Sequence, residues 1–113
     1  MSEPYVPDAG DLVWLDFDPR VGHEQSGRRP AVVLTPRAYN QAANLAVVCP
    51  ITQHAKGYPF EVLLPKGSPV EGSILADHVK SIDWQRRRAE YQGKAPAPVL
   101  NEVRERLGDL LRL

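Results

Sequence analysis

Between residues 22 and 30 the chain reads GHEQSGRRP, which sets one carboxylate, two guanidiniums and two glycines directly ahead of the apolar run Ala31–Leu34. Arg28 and Arg29 stay charged at any physiological pH, and the planar fork of Arg29 matches the oxygens of a phosphate. Glu24 can orient that fork, or accept a proton where its surroundings raise its pKa. Spacing alone favours a plainer role, a Glu24–Arg29 ion pair that ties the loop. Thr52, in Pro50-Ile51-Thr52-Gln53, offers a hydroxyl that donates to a charged oxygen or caps a turn. Tyr58, in Lys56-Gly57-Tyr58-Pro59, is a ring to stack on a base or to pack, and packing is the default.

The three histidines, His23, His54 and His78, raise the idea of imidazoles working as acid and base in RNA hydrolysis. All fall in or near expected loops, and no pair has the helical i, i+4 spacing of a metal site. Gly-rich phosphate loops and the Gly-x-Ser-x-Gly nucleophile elbow are missing as well. No metal and no cofactor is therefore expected. Cys49 is the single cysteine, so an internal disulfide framework and a cysteine-based zinc site are excluded, which suits a reducing cytoplasm. Its plain reading is a small buried hydrophobe.

The elements that must position these groups read as short strands. Leu12–Phe17 alternates with Val13, Leu15 and Phe17 on one side, and Asp18-Pro19 ends it. Ala31–Thr35, Leu45–Cys49 and Phe60–Leu64 are further apolar runs bounded by Pro, Gly or Asn, and Ser73–Val79 is a weaker one. On this reading Arg29 and Thr52 stand in loops beside strands. Spacings this short leave no room for parallel crossovers, so the sheet is expected to be mainly antiparallel, curled or barrel-like. After Ala95-Pro96-Ala97-Pro98, apolar residues at Leu100, Val103, Leu107 and Leu110 or Leu111 give a helical period, and one face of that helix should cap the sheet. Pro36–Asn40 has room for a single helical turn.

At 113 residues the expectation is one domain, residues 1–113. The acidic start and the lack of a long apolar run predict a soluble protein without membrane attachment. Formal net charge is zero, which argues against a basic coat, but the charge is unevenly placed. Residues 1–18 carry five acids and no bases, while 19–56 hold Arg20, Arg28, Arg29, Arg37 and Lys56 against Glu24. A second basic excess lies at 78–94, with Lys80, Arg86, Arg87, Arg88 and Lys94 against Asp83 and Glu90. Brought together by folding, these segments would make one cationic surface for phosphates. Taken by itself, Arg86–Arg88 reads as a solvated edge.

Tyr5-Val6-Pro7-Asp8, Gly10-Asp11-Leu12-Val13-Trp14, Asp16-Phe17-Asp18-Pro19, Gly22, Glu24-Gln25, Gly27, Arg29-Pro30-Ala31-Val32-Val33-Leu34 and Lys56-Gly57-Tyr58-Pro59-Phe60-Glu61-Val62 together resemble the MazF family, as do Leu75-Ala76-Asp77, Val79-Lys80-Ser81-Ile82 and Trp84. The resemblance runs in order over nearly the whole chain. It implies an SH3-like barrel shared with the PemK/Kid and CcdB toxins, a homodimer, and a cytoplasmic toxin of a toxin–antitoxin pair. The implied activity is metal-independent, sequence-specific cleavage of single-stranded mRNA. The implied partner besides RNA is a MazE-like antitoxin with an acidic tail.

By the same resemblance Arg29 and Thr52 are the catalytic pair, while the base is Glu24, Asp77 or no side chain at all. Gln25, Arg28, Gln53, His54, Lys56, Tyr58, Asp77, Lys80, Arg86 and Arg87 fall on the implied RNA surface. Departures from the family pattern at Arg28, Gln53, His54 and His78 bear on which bases are recognised. The other readings of the chain are a CcdB-like topoisomerase poison, which would not need Arg29 and Thr52, and a noncatalytic RNA-binding barrel.

Overall fold

The computed structural model describes residues 4–17 and 27–113. Strands β1 (Asp11–Phe17), β2 (Gly27–Val33) and β3 (Ala46–Thr52) form its centre, with a helix, α1 (Arg37–Ala43), between the last two. β4 (Glu61–Leu63), β5 (Ser73–Leu75), a 3₁₀ turn (Ala76–His78), β6 (Lys80–Ile82), β7 (Glu90–Lys94) and the helix α2 (Ala97–Leu111) follow. All strand pairings are antiparallel, and the sheet runs β4-β5-β3-β2-β1-β7 with β6 also on β3. Among the described residues the ladder is open, with β4 and β7 at its ends. The curl comes from β3, whose first residues pair with β6 and whose last two, Ile51 and Thr52, pair with Ile74 and Ser73 of β5.

Alternation along the central strands sends side chains to two cores. Leu12, Val32, Cys49 and Ile51 face one, closed by β4, β5 and Val103 of α2. Val13, Leu15, Ala31, Val33, Ala46 and Val48 face the other, with Tyr5, Phe17 and Trp84 packed against it. This accounts for Leu12-Val13, Ala31-Val32-Val33 and Val48-Cys49 reading as unbroken apolar runs: consecutive residues are buried on opposite faces. Burying each Val, Leu or Ile side chain among them contributes about 1.5–3 kcal/mol.

Several expected boundaries shift. The run Ser73–Val79 is not one strand: β5 ends at Leu75, the 3₁₀ turn at Ala76–His78 follows, and β6 begins only at Lys80; Ala76 fills the first core while Asp77 and His78 face out. The turn expected at Pro36–Asn40 is a longer helix that ends on Asn44 in the left-handed region, φ 59°. Asn40 is buried, and its amide group donates to the carbonyls of Pro7 (2.8 Å) and Thr35 (2.9 Å) while its Oδ1 accepts the Thr35 hydroxyl (2.6 Å). Those bonds make burial of an amide affordable. α2 spans the expected helix, with Pro98 in its first turn, but only its first half is packed on the core: Val103 is buried whereas Leu110 and Leu111 are exposed.

Candidate active site

Arg29 and Thr52 both lie in strands, not loops. β2 begins at Gly27 and carries Arg28, Arg29 and Pro30 inside it, and β3 runs through Pro50 and Ile51 to end at Thr52. The β2–β3 ladder pairs Val33 with Val48, Val32 with Cys49 and Ala31 with Pro50, then stops. Continuing that register by two steps sets Arg29 opposite Thr52. The ladder stops where β3 turns to pair with β5, so the strands part beside Arg29 and Thr52. The parting leaves a depression of about 240 Å³ lined by Trp14, Arg29, Pro30, Ile51, Thr52, Gln53 and His54.

Both named groups are half-buried. Thr52 Oγ1 accepts the backbone N–H of His54 at 3.1 Å, the local turn that residue type favours, and this leaves the hydroxyl proton to donate outward. Gln53 and His54 form the exposed lip. Beyond it, the carboxylate of Glu61 accepts the backbone N–H groups of Lys56 (3.0 and 3.1 Å) and Gly57 (2.9 Å). That clasp shapes the loop from which Tyr58 projects, 61% exposed, over a second depression that it shares with Pro59, Leu63 and Arg106.

Arg28 has a different setting from its neighbour. It lies opposite Asp16 in the β1–β2 register, and its Nη1 donates to Asp16 Oδ1 at 2.8 Å. Its Nη2 reaches the carbonyls of Trp14 (3.2 Å) and Arg88 (2.7 Å) and stands 3.3 Å from Glu90 Oε1. Arg88, at φ 53°, donates to the other oxygen of Asp16 at 2.6 Å. Bonds from Arg88 first, and then Arg28, hold the Asp16 carboxyl below its ordinary pKa against the opposing effect of burial. Arg87 donates to the Asp16 carbonyl at 3.2 Å. The two basic segments therefore do meet, but across a carboxylate, so Arg28 and Arg88 are offset locally rather than merged into a bare cationic face.

The remaining sequence candidates scatter. Asp77 lies on the 3₁₀ turn with its Oδ1 3.9 Å from His78 Nε2, and neither lines the depression. Lys80 on β6 stands 5.0 Å from the centre of the Phe17 ring. Arg86 is 89% exposed, loosely paired with Asp83 at 3.9 Å, and so is available to a ligand. Glu24, Gln25 and His23 lie outside the described residues. Among the described residues no group of three or more His, Cys, Asp or Glu side chains is placed to hold a metal ion. Sequence reasoning missed Trp14 as a wall of the site, Asp16 as the anchor of Arg28, and Glu61 as the clasp. A polar residue opposite an arginine was the one available signal, for Asp16, and it requires the register.

Comparison with known proteins bears on the family and the fold. The family model for PemK-like, MazF-like toxins of type II toxin–antitoxin systems matches residues 8–111. The endoribonuclease toxin MazF of Escherichia coli (strain K12) is 46% identical over 111 residues, 98% of this chain and 99% of its own length. Among solved structures, MazF from Deinococcus radiodurans superposes with a TM-score of 0.90 at 60% identity, covering 97% of this chain and 100% of that one. The MazE–MazF structure from the same organism gives 0.91 at 60% identity, over 97% and 99% of the two chains.

Proposed function

The chain belongs to the PemK-like, MazF-like toxin family of type II toxin–antitoxin systems, and from that premise we propose that it is an endoribonuclease cutting single-stranded mRNA at a short sequence without a metal. The observation that carries this reading is that Arg29 and Thr52 line one depression open to solvent, just beyond the end of the β2–β3 ladder. RNA brings its own nucleophile, the 2′-hydroxyl. A metal-free enzyme has to hold it in line with the phosphorus, remove its proton and offset the charge of the phosphorane.

In this mechanism the Arg29 fork binds the nonbridging oxygens of the scissile phosphate, and its charge stabilises the dianionic transition state. Thr52, with its oxygen engaged by His54 N–H, donates its hydroxyl proton to the same phosphate. Attack of the 2′-oxygen on phosphorus forms the cyclic ester and breaks the bond to the 5′-oxygen, which takes a proton from solvent at the open depression as it leaves. The products are a 2′,3′-cyclic phosphate and a 5′-hydroxyl. The acceptor of the 2′-hydroxyl proton is then Glu24 or no side chain at all, since Asp77 does not line the depression. Gln53 and His54 at its lip, with Gln25, Lys56 and Tyr58, take the flanking nucleotides.

The homodimer, the cytoplasmic location and a MazE-like antitoxin with an acidic segment laid over Arg29 belong to the same proposal. The exposed apolar side chains of Leu110 and Leu111, neighbours at the end of α2, support a contact between copies there. No helix among the described residues is long and apolar enough to cross a membrane. The test is to incubate the protein with a long single-stranded RNA in EDTA and map both new ends. Cyclic phosphate and 5′-hydroxyl ends at a recurring sequence are expected. Binding without cleavage would leave a noncatalytic RNA-binding module, and activity that returns only with a divalent ion would overturn the metal-free chemistry.

A further inference from the structure

Thr52 is the last residue of β3, and a strand's last residue is ordinarily free to fray. Here it is held from the β5 side, where Thr52 pairs with Ser73, itself buried. The residue before that pair is Gly72. Its φ is +128°, a conformation side-chain-bearing L-residues rarely adopt, and a Cβ there would lie 2.3 Å from the carbonyl oxygen of Thr52 and 3.1 Å from Ile51 Cγ2. The nearest obstacle is backbone, so it cannot move aside as the end of a flexible side chain would. Gly72 is also pinned on its other side, because its carbonyl accepts the Leu64 N–H at 2.9 Å.

We infer that Gly72 is a positioning residue for Thr52, its missing side chain letting the β4–β5 hairpin close directly on the Thr52 carbonyl and so fixing where the Thr52 hydroxyl stands. The inference rests on the reading of Thr52 as a group that binds the scissile phosphate. Any Cβ at position 72 must displace the peptide that joins Thr52 to Gln53, and with it the turn in which Thr52 Oγ1 accepts the His54 N–H. RNA binding also draws on Arg29, Lys56 and Tyr58, which lie outside the displaced peptide, so it should largely survive. The in-line geometry should not: a displacement of about 1 Å in a reacting site costs roughly 100-fold in rate.

The test compares Gly72→Ala with Gly67→Ala. Gly67 lies in the same β4–β5 connection at φ +88°, also a conformation that side-chain-bearing residues rarely adopt, but a Cβ there meets nothing within 4 Å, so it lacks the contact. Each variant is measured for kcat and KM on a short RNA containing one cleavage site, and by the NMR shift of the His54 amide. Gly72→Ala should lose about 100-fold in kcat with KM within about threefold, and should move the His54 amide. Gly67→Ala should keep both at the parent values. Both are also made with Gly108→Ala, an alanine in open space on α2 that offsets a loss of stability.

An unchanged kcat in Gly72→Ala, an equal loss in Gly67→Ala, a loss confined to KM, or failure to fold in both backgrounds would each overturn the inference. Thr52→Ala is run alongside. If that variant cleaves at the parent rate, the reading of Thr52 itself fails. If Thr52→Ala is inactive while Gly72→Ala is fully active, only the role of Gly72 fails.

Discussion

Adjacent arginines in one strand have opposite tasks because a strand turns successive side chains to opposite faces. Arg28 is spent on Asp16, Glu90 and two carbonyls, whereas Arg29 lines the depression with Thr52. Arg29→Ala and Thr52→Ala should each lower RNA cleavage by about 100-fold or more at unchanged circular dichroism, the scale for losing one preorganised donor to transition-state charge. Arg29→Lys should fail as well, since an ammonium cannot span two phosphate oxygens. Normal cleavage by either alanine variant would remove that residue from the chemistry. Asp16 makes a separate prediction. Its folded pKa is depressed, so its contribution to stability is present above its unfolded pKa, about 3.9, and is lost as pH falls through the folded value. Asp16→Asn should thus unfold more easily than the parent at pH 7, with the gap closing on acidification below about pH 4. Thermal unfolding across that range decides it, and a gap that widens in acid would rule the ion cluster out as the cause.

At the level of elements, what could be read from the sequence was what hydrophobic period reports. β1, the apolar part of β2, the start of β3 and the whole of α2 carry that signal, and the barrel class followed from strands too closely spaced for crossovers. β7 was not legible. Its sequence Glu90-Tyr91-Gln92-Gly93-Lys94 is polar and half-exposed, and a bulge opposite Leu12 and Val13 breaks its alternation. The prolines misled in the other direction. Pro30 and Pro50 suggested that Arg29 and Thr52 belong to loops, yet Pro50 pairs with Ala31 at the end of the β2–β3 ladder, where fewer cross-strand bonds are required. The candidate residues were legible as types, but their meeting was not, because it depends on register and on β3 changing partners. α2 supplies a stability test: Val103 is fully buried against the first core. Val103→Ala should cost about 2–3 kcal/mol of unfolding free energy, from two lost methylene equivalents plus a cavity. Leu111→Ala, at an exposed position, should cost about 0.5 kcal/mol or less in the isolated chain. Equal losses at the two positions would mean that the far end of α2 is also covered, as by a second copy.

For the whole molecule, the question is how a chain of zero net charge holds a polyanion. Its acids are not spread evenly against its bases, and two of the bases nearest the site, Arg28 and Arg88, are already matched by Asp16. Other cations among the described residues that can reach a phosphate near the site are Arg29 lining the depression, Lys56 in the adjoining loop and Arg86 on the exposed turn, and Arg20 is a fourth by its place in the sequence. Each phosphate neutralised on a single strand contributes about −0.7 to the slope of log K against log salt. Three or four contacts therefore predict a slope between about −2 and −3, shallow for a nucleic-acid-binding protein. The measurement is anisotropy of an RNA oligonucleotide with deoxyribose on the 5′ side of the scissile phosphate, which removes the nucleophile and about one hydrogen bond, roughly 1 kcal/mol, while leaving the phosphates in place. That oligonucleotide should bind, resist cleavage and compete with the all-ribose substrate. Asp16→Asn should steepen the slope by about one unit, because it releases guanidinium charge beside the site. A slope steeper than about −4 in the parent protein would mean that Arg28 and Arg88 face RNA despite their carboxylate, and that the cluster around Asp16 opens when the substrate arrives.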